Sequence, residues 1–443
     1  MDKFVIQGQQ PLRGSLPVGG SKNTALPLMA ATILAEGTTT IENVPSLRDV
    51  HTFSHVLRIS GAEVDFDHDA NRLCVDASRV TYPEAPYELV KKMRASFYML
   101  GALVGRCGRA RVSMPGGCAW GPRPVDLHIK GMKAFGADID LDEGYVVATA
   151  PSGRLDGGSF RLEPSSVGAT INLLLGAVTA RGGSRIENAA MEPDVVAFGE
   201  ALKAMGAQID GLGTRTIEIQ GVDGLNPITY RNTPDRIELG TYMIAAAIAG
   251  SPGDPIRITD GHHPHLGHAF KEAFKQTGTH VEYEPDVVTV AAPDTLQPVS
   301  ITTDVYPGFP TDLQAQWTVL LACANGTASV TDTIYDDRFK HIPELQRLGV
   351  DVSVKGNTAT VHGGQPIKGA KVMSTDLRAS VSLVLAGMVA EGHTDVLRIY
   401  HLDRGYEDLE GKLSNAGIGI KREEYDEFAE PEPRTEEAVG AEQ

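Results

Sequence analysis

Six times along the chain, a helix-like stretch ends at a glycine and passes into a segment of alternating polar and apolar residues. The glycines are Gly61, Gly136, Gly206, Gly278, Gly349 and Gly417, and the segments they open read GAEVDF, GADIDL, GAQIDG, GTHVEY, GVDVSV and GIGIKR. The intervals between them run from 68 to 75 residues. Glycine after a helix accepts the left-handed backbone that closes it. Period-two alternation predicts a strand buried on one face. Upstream of each glycine lies a second, more apolar helical stretch: 25–35, 95–104, 169–180, 240–249, 314–324 and 379–390. These are apolar most of the way round, so they should be buried on all sides. A short strand follows each, such as Thr40–Asn43 or Arg185–Asn188.

The pattern predicts six βαβαββ-like units, three per domain, with helices inside and sheets outside. An ordinary α/β protein with similar helix ends is the competing reading. The first domain spans 22–232. The second joins 1–21 to 233–422, because unit counting leaves the strand Phe4–Gln7 as a partner for the C-terminal half. The chain then crosses twice, near residues 20 and 232, which predicts two halves hinged over a cleft.

The length of 443 residues fits two domains. No apolar run reaches the roughly 18 residues of a membrane helix, and Met1–Gly8 reads as a strand rather than a leader. Cys74, Cys107, Cys118 and Cys323 lie far apart without a CxxC pair. That gives little support to zinc or a disulfide framework and points to a reducing, cytoplasmic setting. A net charge of −17 argues against a general nucleic-acid binder. Nine acids against one base, Arg434, lie from Glu423 onward, so 423–443 is expected to be a disordered acidic tail. An anionic substrate therefore needs a local cluster of Lys and Arg.

Such a cluster is suggested where the buried helices begin. Ser165, Ser166, Thr311 and Thr375 read as helix caps. Lys22, Arg94 and Arg378 do not, because a cation is unfavourable at a positive helix end unless an anion binds there. The Gly- and Pro-rich segment MPGGCAWGPRP interrupts the repeat and carries Cys118, with Arg123 five residues on. A nearby cation lowers a thiol pKa and makes it a nucleophile or proton donor. The other three cysteines read as inert. Asp312 reads equally as a cap or as a chemical group, and Arg404 as a salt-bridge partner or a ligand contact. His262, His263, His265 and His268 resemble a metal site, but Pro264 and Gly267 break any single helical face, so a surface loop is expected. His128, Trp120 and Trp317 read as packing residues.

The segments GGSKNTALPL, LVKKMRASFYMLG, MPGGCAWGPRPVDLH, SVGATINLLLGA, PDRIELGTY, FPTDLQAQW, TDLRASVSLVLAG and YHLDRGYE resemble the UDP-N-acetylglucosamine 1-carboxyvinyltransferase family over about residues 1–422. The resemblance implies a two-domain inside-out α/β barrel. It implies transfer of the enolpyruvyl group of phosphoenolpyruvate to the 3′-hydroxyl of UDP-N-acetylglucosamine through a tetrahedral ketal, the first committed step of peptidoglycan precursor synthesis. It makes Cys118 the loop cysteine and general acid, and Asp312 the base. Lys22, Arg123, Arg378 and Arg404 match the cations around phosphoenolpyruvate, with Asn23 a polar contact. Arg94, Arg123, Pro124, Val125, Asp126, Leu127, Ser165, Ser166, Val167, Asp312 and Ile334 match the UDP-sugar site. Pro164 stands where the family often has Lys, so one diphosphate or uridine contact is expected to be lost. The resemblance implies two small-molecule substrates and neither metal nor cofactor. The sister enzyme that acts on shikimate 3-phosphate lacks the cysteine loop.

Overall fold

The computed structural model describes residues 1–91, 93–114 and 125–427. The described residues form six separate four-stranded sheets, and among them no strand is shared, so they do not join into one closed barrel. The third unit shows the plan. Strand Gly158–Arg161 leads through the buried helix Val167–Ala177 to the parallel strand Gly183–Glu187. The surface helix Pro193–Ala204 then leads to a hairpin, Gln208–Asp210 and Thr216–Gln220, whose second strand pairs antiparallel with Gly183–Glu187. The crossover between parallel strands needs a helix, and the return needs only a tight turn.

All six glycines of the repeat follow the surface helices, with φ between +84° and +107°. Only glycine adopts this region without a Cβ clash. The interior helices are nearly all side chain to side chain. In Gln314–Cys323 every residue from Gln314 to Ala322 is buried, Trp317 among them. Two such helices meet at Gly101, whose N–H donates to Asn172 Oδ1 at 2.6 Å. A Cβ on Gly101 would lie 2.2 Å from the Asn172 carbonyl oxygen.

The buried apolar residues fall into two clusters. One runs from Ala25 to Leu225, and the other joins Phe4–Val18 to Ile237–Ile420. Strand exchange completes both halves. Strand Asp2–Gln7 inserts between His393–Leu397 and Gly419–Glu424. Ser15–Pro17 pairs with Ile256–Thr259, and Thr229–Arg231 pairs with Thr38–Glu42. The two crossing segments bond to each other. Ser21 N–H donates to Thr233 O at 2.7 Å and Asp235 N–H to Gly19 O at 2.9 Å. Asn232 Nδ2 donates to the carbonyls of Ser21 and Asn43, both at 3.0 Å. Among the described residues, no helix is long and apolar enough to cross a membrane.

Candidate active site

The starts of two buried helices and the end of a 3-10 segment bring three cations together between the two halves. Lys22 opens the helix Lys22–Ala31, whose cap is Ser21, accepting from Thr24 N–H at 3.2 Å. Asn23 follows and is partly exposed. Arg378 lies in the first turn of Leu377–Val389, where the cap is Asp376, accepting from Arg378 N–H at 2.9 Å and Ala379 N–H at 3.0 Å. Arg404 ends the 3-10 segment Ile399–Arg404. Lys22 is 8% exposed and Arg378 5%. Burial pushes the Lys22 ammonium below its ordinary value, Asp49 opposes that shift, and the charges of Arg378 and Arg404 add to it. The three cations are therefore close enough to repel one another. Nη1 of Arg378 is buried without a hydrogen-bond partner among the described residues, a costly state for a cation unless a ligand supplies the acceptor.

Asp312 faces this group. It sits on the turn Thr311–Leu313 ahead of the helix Gln314–Cys323. Its backbone carbonyl accepts from Gln316 Nε2 at 3.1 Å, which ties the turn to the buried helix. The carboxylate does not cap the helix. Oδ1 accepts from Arg338 Nη2 at 2.5 Å, and Oδ2 lies 3.6 Å from Arg378 Nε. Burial alone would raise its pKa, but the guanidinium charges of Arg338 and Arg378 hold the carboxyl well below the usual range. Thr311 is not a cap either. Its hydroxyl donates to the buried Asp332 at 2.6 Å and accepts from Arg338 Nη1 at 2.6 Å, because a charged donor outcompetes a backbone N–H for the hydroxyl oxygen. Asp332 also accepts from Ile334 N–H at 2.8 Å and Tyr335 N–H at 3.1 Å, fixing the loop that carries Ile334. Thr375 likewise leaves the capping to its neighbour Asp376.

A second group belongs to the first half. Arg94 opens the segment Arg94–Tyr98. Val125 is buried, Leu127 is partly buried, and Asp126 opens the helix Asp126–Ala134 and pairs with Lys130 at 3.1 Å. Ser166 caps Val167–Ala177, accepting from Ala169 N–H at 3.3 Å, and Ser165 precedes it partly exposed. His128 ties these pieces together. Its Nδ1 meets Asn172 Nδ2 at 2.9 Å, and a Cβ on Gly168 would lie 3.3 Å from the ring. Burial first, then the charge of Arg94, pushes the ring down to about 3. Tyr98, pushed up to about 12 by burial, also feels Arg94, Asp194 and Tyr335, which links this group to the loop of Ile334 in the other half. Cys118, Arg123 and Pro124 lie outside the described residues, as do residues 428–443 of the expected tail. The first residues of that tail are ordered, with Glu423 and Glu424 in the strand Gly419–Glu424 and Glu427 paired with Arg398.

Two side chains at the site carry no anomaly in the sequence. Asp49, in Arg48–Ser60, reads as an ordinary acid in a first turn. Its carboxylate meets Lys22 Nζ at 3.3 Å and Arg404 Nε at 2.9 Å. Arg338 lies in the short segment between Tyr335 and Lys340, where nothing in the pattern marks it. Cys74, Cys107 and Cys323 are free thiols. Burial raises Cys107 and pushes Cys323 up to about 12, which fits their inert reading. In the histidine loop, His263 Nδ1 meets Lys271 Nζ at 3.0 Å, and His262 and His265 pack edge to face. Among the described residues, no group of three or more His, Cys, Asp or Glu side chains is placed to hold a metal ion.

Lys22 of one half and Arg378 and Arg404 of the other meet on a frame of six repeated units, an arrangement suited to group-transfer enzymes that handle anionic substrates. The chain belongs to the EPSP synthase (3-phosphoshikimate 1-carboxyvinyltransferase) family, whose model matches residues 6–413. A UDP-N-acetylglucosamine 1-carboxyvinyltransferase of Chloroherpeton thalassium is 54% identical over 433 residues, covering 98% of this chain and 100% of that protein. One from Myxococcus xanthus is 49% identical over 424 residues, covering 96% and 100%. The crystal structure of the enolpyruvyl transferase NikO from Streptomyces tendae matches with a TM-score of 0.86 at 28% identity, covering 95% of this chain and 98% of that one. EPSP synthase from Acinetobacter baumannii matches with a TM-score of 0.75 at 19% identity, covering 96% and 100%, a likeness of fold.

Proposed function

We propose that the protein transfers the enolpyruvyl group of phosphoenolpyruvate to the 3′-hydroxyl of UDP-N-acetylglucosamine and releases phosphate. The observation that carries this reading is the convergence of Arg378 and Arg404 on Lys22, with Asp312 lying 3.6 Å from Arg378. Phosphoenolpyruvate presents a phosphate and a carboxylate on one small frame, and their repulsion is offset only where several cations meet. Arg123 would complete the clamp. Asn23 would contact the reacting groups, and the Arg94, Val125–Leu127, Ser165–Val167 and Ile334 surfaces would take the UDP-sugar. Relatives of this chain at 49–54% identity are named for this acceptor.

In the proposed reaction the Cys118 thiol protonates C3 of phosphoenolpyruvate while the sugar oxygen attacks C2. The hydroxyl proton passes to Asp312. The tetrahedral ketal then returns a proton from the new methyl group to the Cys118 thiolate and expels phosphate, which takes the proton held by Asp312, restoring the double bond. An acid and a base on opposite faces are needed for the two proton transfers. The depressed pKa of Asp312 makes it a weak base while Arg378 pairs with it. An incoming anion competes for Arg378, and loss of that pairing raises the carboxylate's proton affinity as the hydroxyl is presented. We assign residues 22–232 and 1–21 with 233–422 as the two domains whose hinging closes the cleft, and we place the reaction in the cytoplasm.

Mixing the enzyme with phosphoenolpyruvate and UDP-N-acetylglucosamine should release phosphate, and shikimate 3-phosphate should not replace the sugar. Release with shikimate 3-phosphate alone would move the chain to the sister activity. Fosfomycin, a thiol-directed epoxide, should add one label to the protein by intact mass, and Cys118→Ser should abolish it. A label that persists in that variant would remove Cys118 from the site.

A further inference from the structure

We propose that Asp49 is a positioning residue for the phosphoenolpyruvate clamp: its buried carboxylate bridges Lys22 of one half and Arg404 of the other, and keeps both charged and aimed at one anion. The inference rests on the functional reading above and adds a residue to it. Asp49 is 4% exposed. Oδ2 meets Lys22 Nζ at 3.3 Å, while Oδ1 meets Arg404 Nε at 2.9 Å and Oδ2 meets Arg404 Nη2 at 3.4 Å. One carboxylate thus fixes two long side chains that enter from opposite halves, which removes most of their rotamer freedom before any ligand is held.

The charge setting explains why a carboxylate is needed there. Lys22 is faced by Arg378 and Arg404 from the second half, and Asp49 is the acid that meets it directly. The other acid packed against its helix is engaged elsewhere. Asp194, on the packed helix Pro193–Ala204, bonds Ser21 Oγ and Thr24 Oγ1 at 2.9 Å each and pairs with Arg236 at 3.1 Å. Arg94 opens the segment that packs on the same helix. Burial and two neighbouring guanidiniums all favour neutral Lys22, and Asp49 opposes them. Without that carboxylate the ammonium would lose its proton at a lower pH, and a neutral amine holds a phosphate poorly.

The test is Asp49→Asn, which keeps the volume and one acceptor, with Asp49→Glu as the charge-restoring variant. In Asp49→Asn the alkaline limb of kcat/KM for phosphoenolpyruvate should move down by about one to three pH units, the size of shift one close opposite charge produces. KM for phosphoenolpyruvate at pH 8 should rise on the order of tenfold, a loss of about 1.4 kcal/mol, while KM for the UDP-sugar stays within about twofold. Asp49→Glu should restore the limb in part. A Lys22 side-chain NMR titration reads the same shift without turnover, and UDP-sugar binding by calorimetry shows that each variant is folded. Equal Lys22 titrations in wild type and Asp49→Asn would overturn the inference. Absence of phosphate release in the wild type would instead overturn the functional reading and leave the titration as a separate result.

Discussion

A carboxylate can accept a proton only when its other bonds allow it, and Asp312 is held by Arg338 at 2.5 Å and by Arg378 at 3.6 Å. Its side chain is 27% exposed, so it remains within reach of a ligand. The two arginines therefore set its base strength. Removing Arg338 takes away the largest opposing charge and leaves burial to push the carboxyl upward. The base works in its ionised form, so a higher pKa means that activity is lost at a higher pH on the acid side. We expect Arg338→Ala to move the acid limb of kcat/KM up by about one to three pH units. We expect Asp312→Asn to lower kcat by about 10²- to 10⁴-fold. Both are read from pH–rate profiles of phosphate release. Lys22 and Arg378 were legible in the sequence because a cation at a helix start is an electrostatic misfit. Asp49 and Arg338 were not, because neither breaks a local rule. An acid in a first turn is favourable there, and an arginine in a loop needs no explanation until Thr311 and Asp312 are seen against it.

The helix-ending glycines carried the fold in the sequence for a related reason: the position imposes a demand that one residue type meets cheaply. The six sheets follow the six glycines in order. The strand exchange was legible only in part. Asp2–Gln7 alternates and reads as a strand, but its place in the middle of a sheet depends on pairing with residues about four hundred positions away. Ser15–Pro17 and Thr229–Arg231 are three residues long, too short for any period to show. The glycines themselves differ in what surrounds them, and this separates two costs. At Gly278, φ is +87° and the nearest atom to an added Cβ is 3.7 Å away. At Gly61, φ is +105° and the Arg79 carbonyl oxygen would be 2.6 Å away. Gly278→Ala should therefore cost only the left-handed strain, about 1–2 kcal/mol. Gly61→Ala should cost more, because backbone must also move. Urea unfolding of the two variants measures the difference, and equal losses would mean that contact adds nothing to the φ term.

The two halves have separate apolar cores, and much of what joins them is charge. Asp49 pairs with Arg404, and Asp194 pairs with Arg236 at 3.1 Å. Glu407 accepts from Ser46 N–H at 2.6 Å and from Asn71 Nδ2 at 3.1 Å. An interface of this kind responds to pH in a direction that can be worked out. For both aspartates burial raises the pKa, but the paired cations overcome it and hold the carboxyl below its ordinary value of 3.8. A group depressed on folding stabilises the folded state above its unfolded pKa, and that stabilisation is lost as pH falls through the folded value. Glu192 and Asp235 act the other way, since burial raises both and protonation relieves them as pH falls. The cleanest measure is therefore a difference between two proteins rather than one melting curve. Asp194→Asn removes a charge that pairs with a buried guanidinium, which should cost on the order of 3 kcal/mol at pH 7. As pH falls below the ordinary carboxyl value of 3.8, the unfolded chain binds a proton that folded Asp194 resists, so the gap in melting temperature between wild type and Asp194→Asn should narrow. A gap that stays constant from pH 7 to pH 3 would mean that Asp194 acts through its hydrogen bonds to Ser21 and Thr24 alone, and that charge does not hold the halves together at that point.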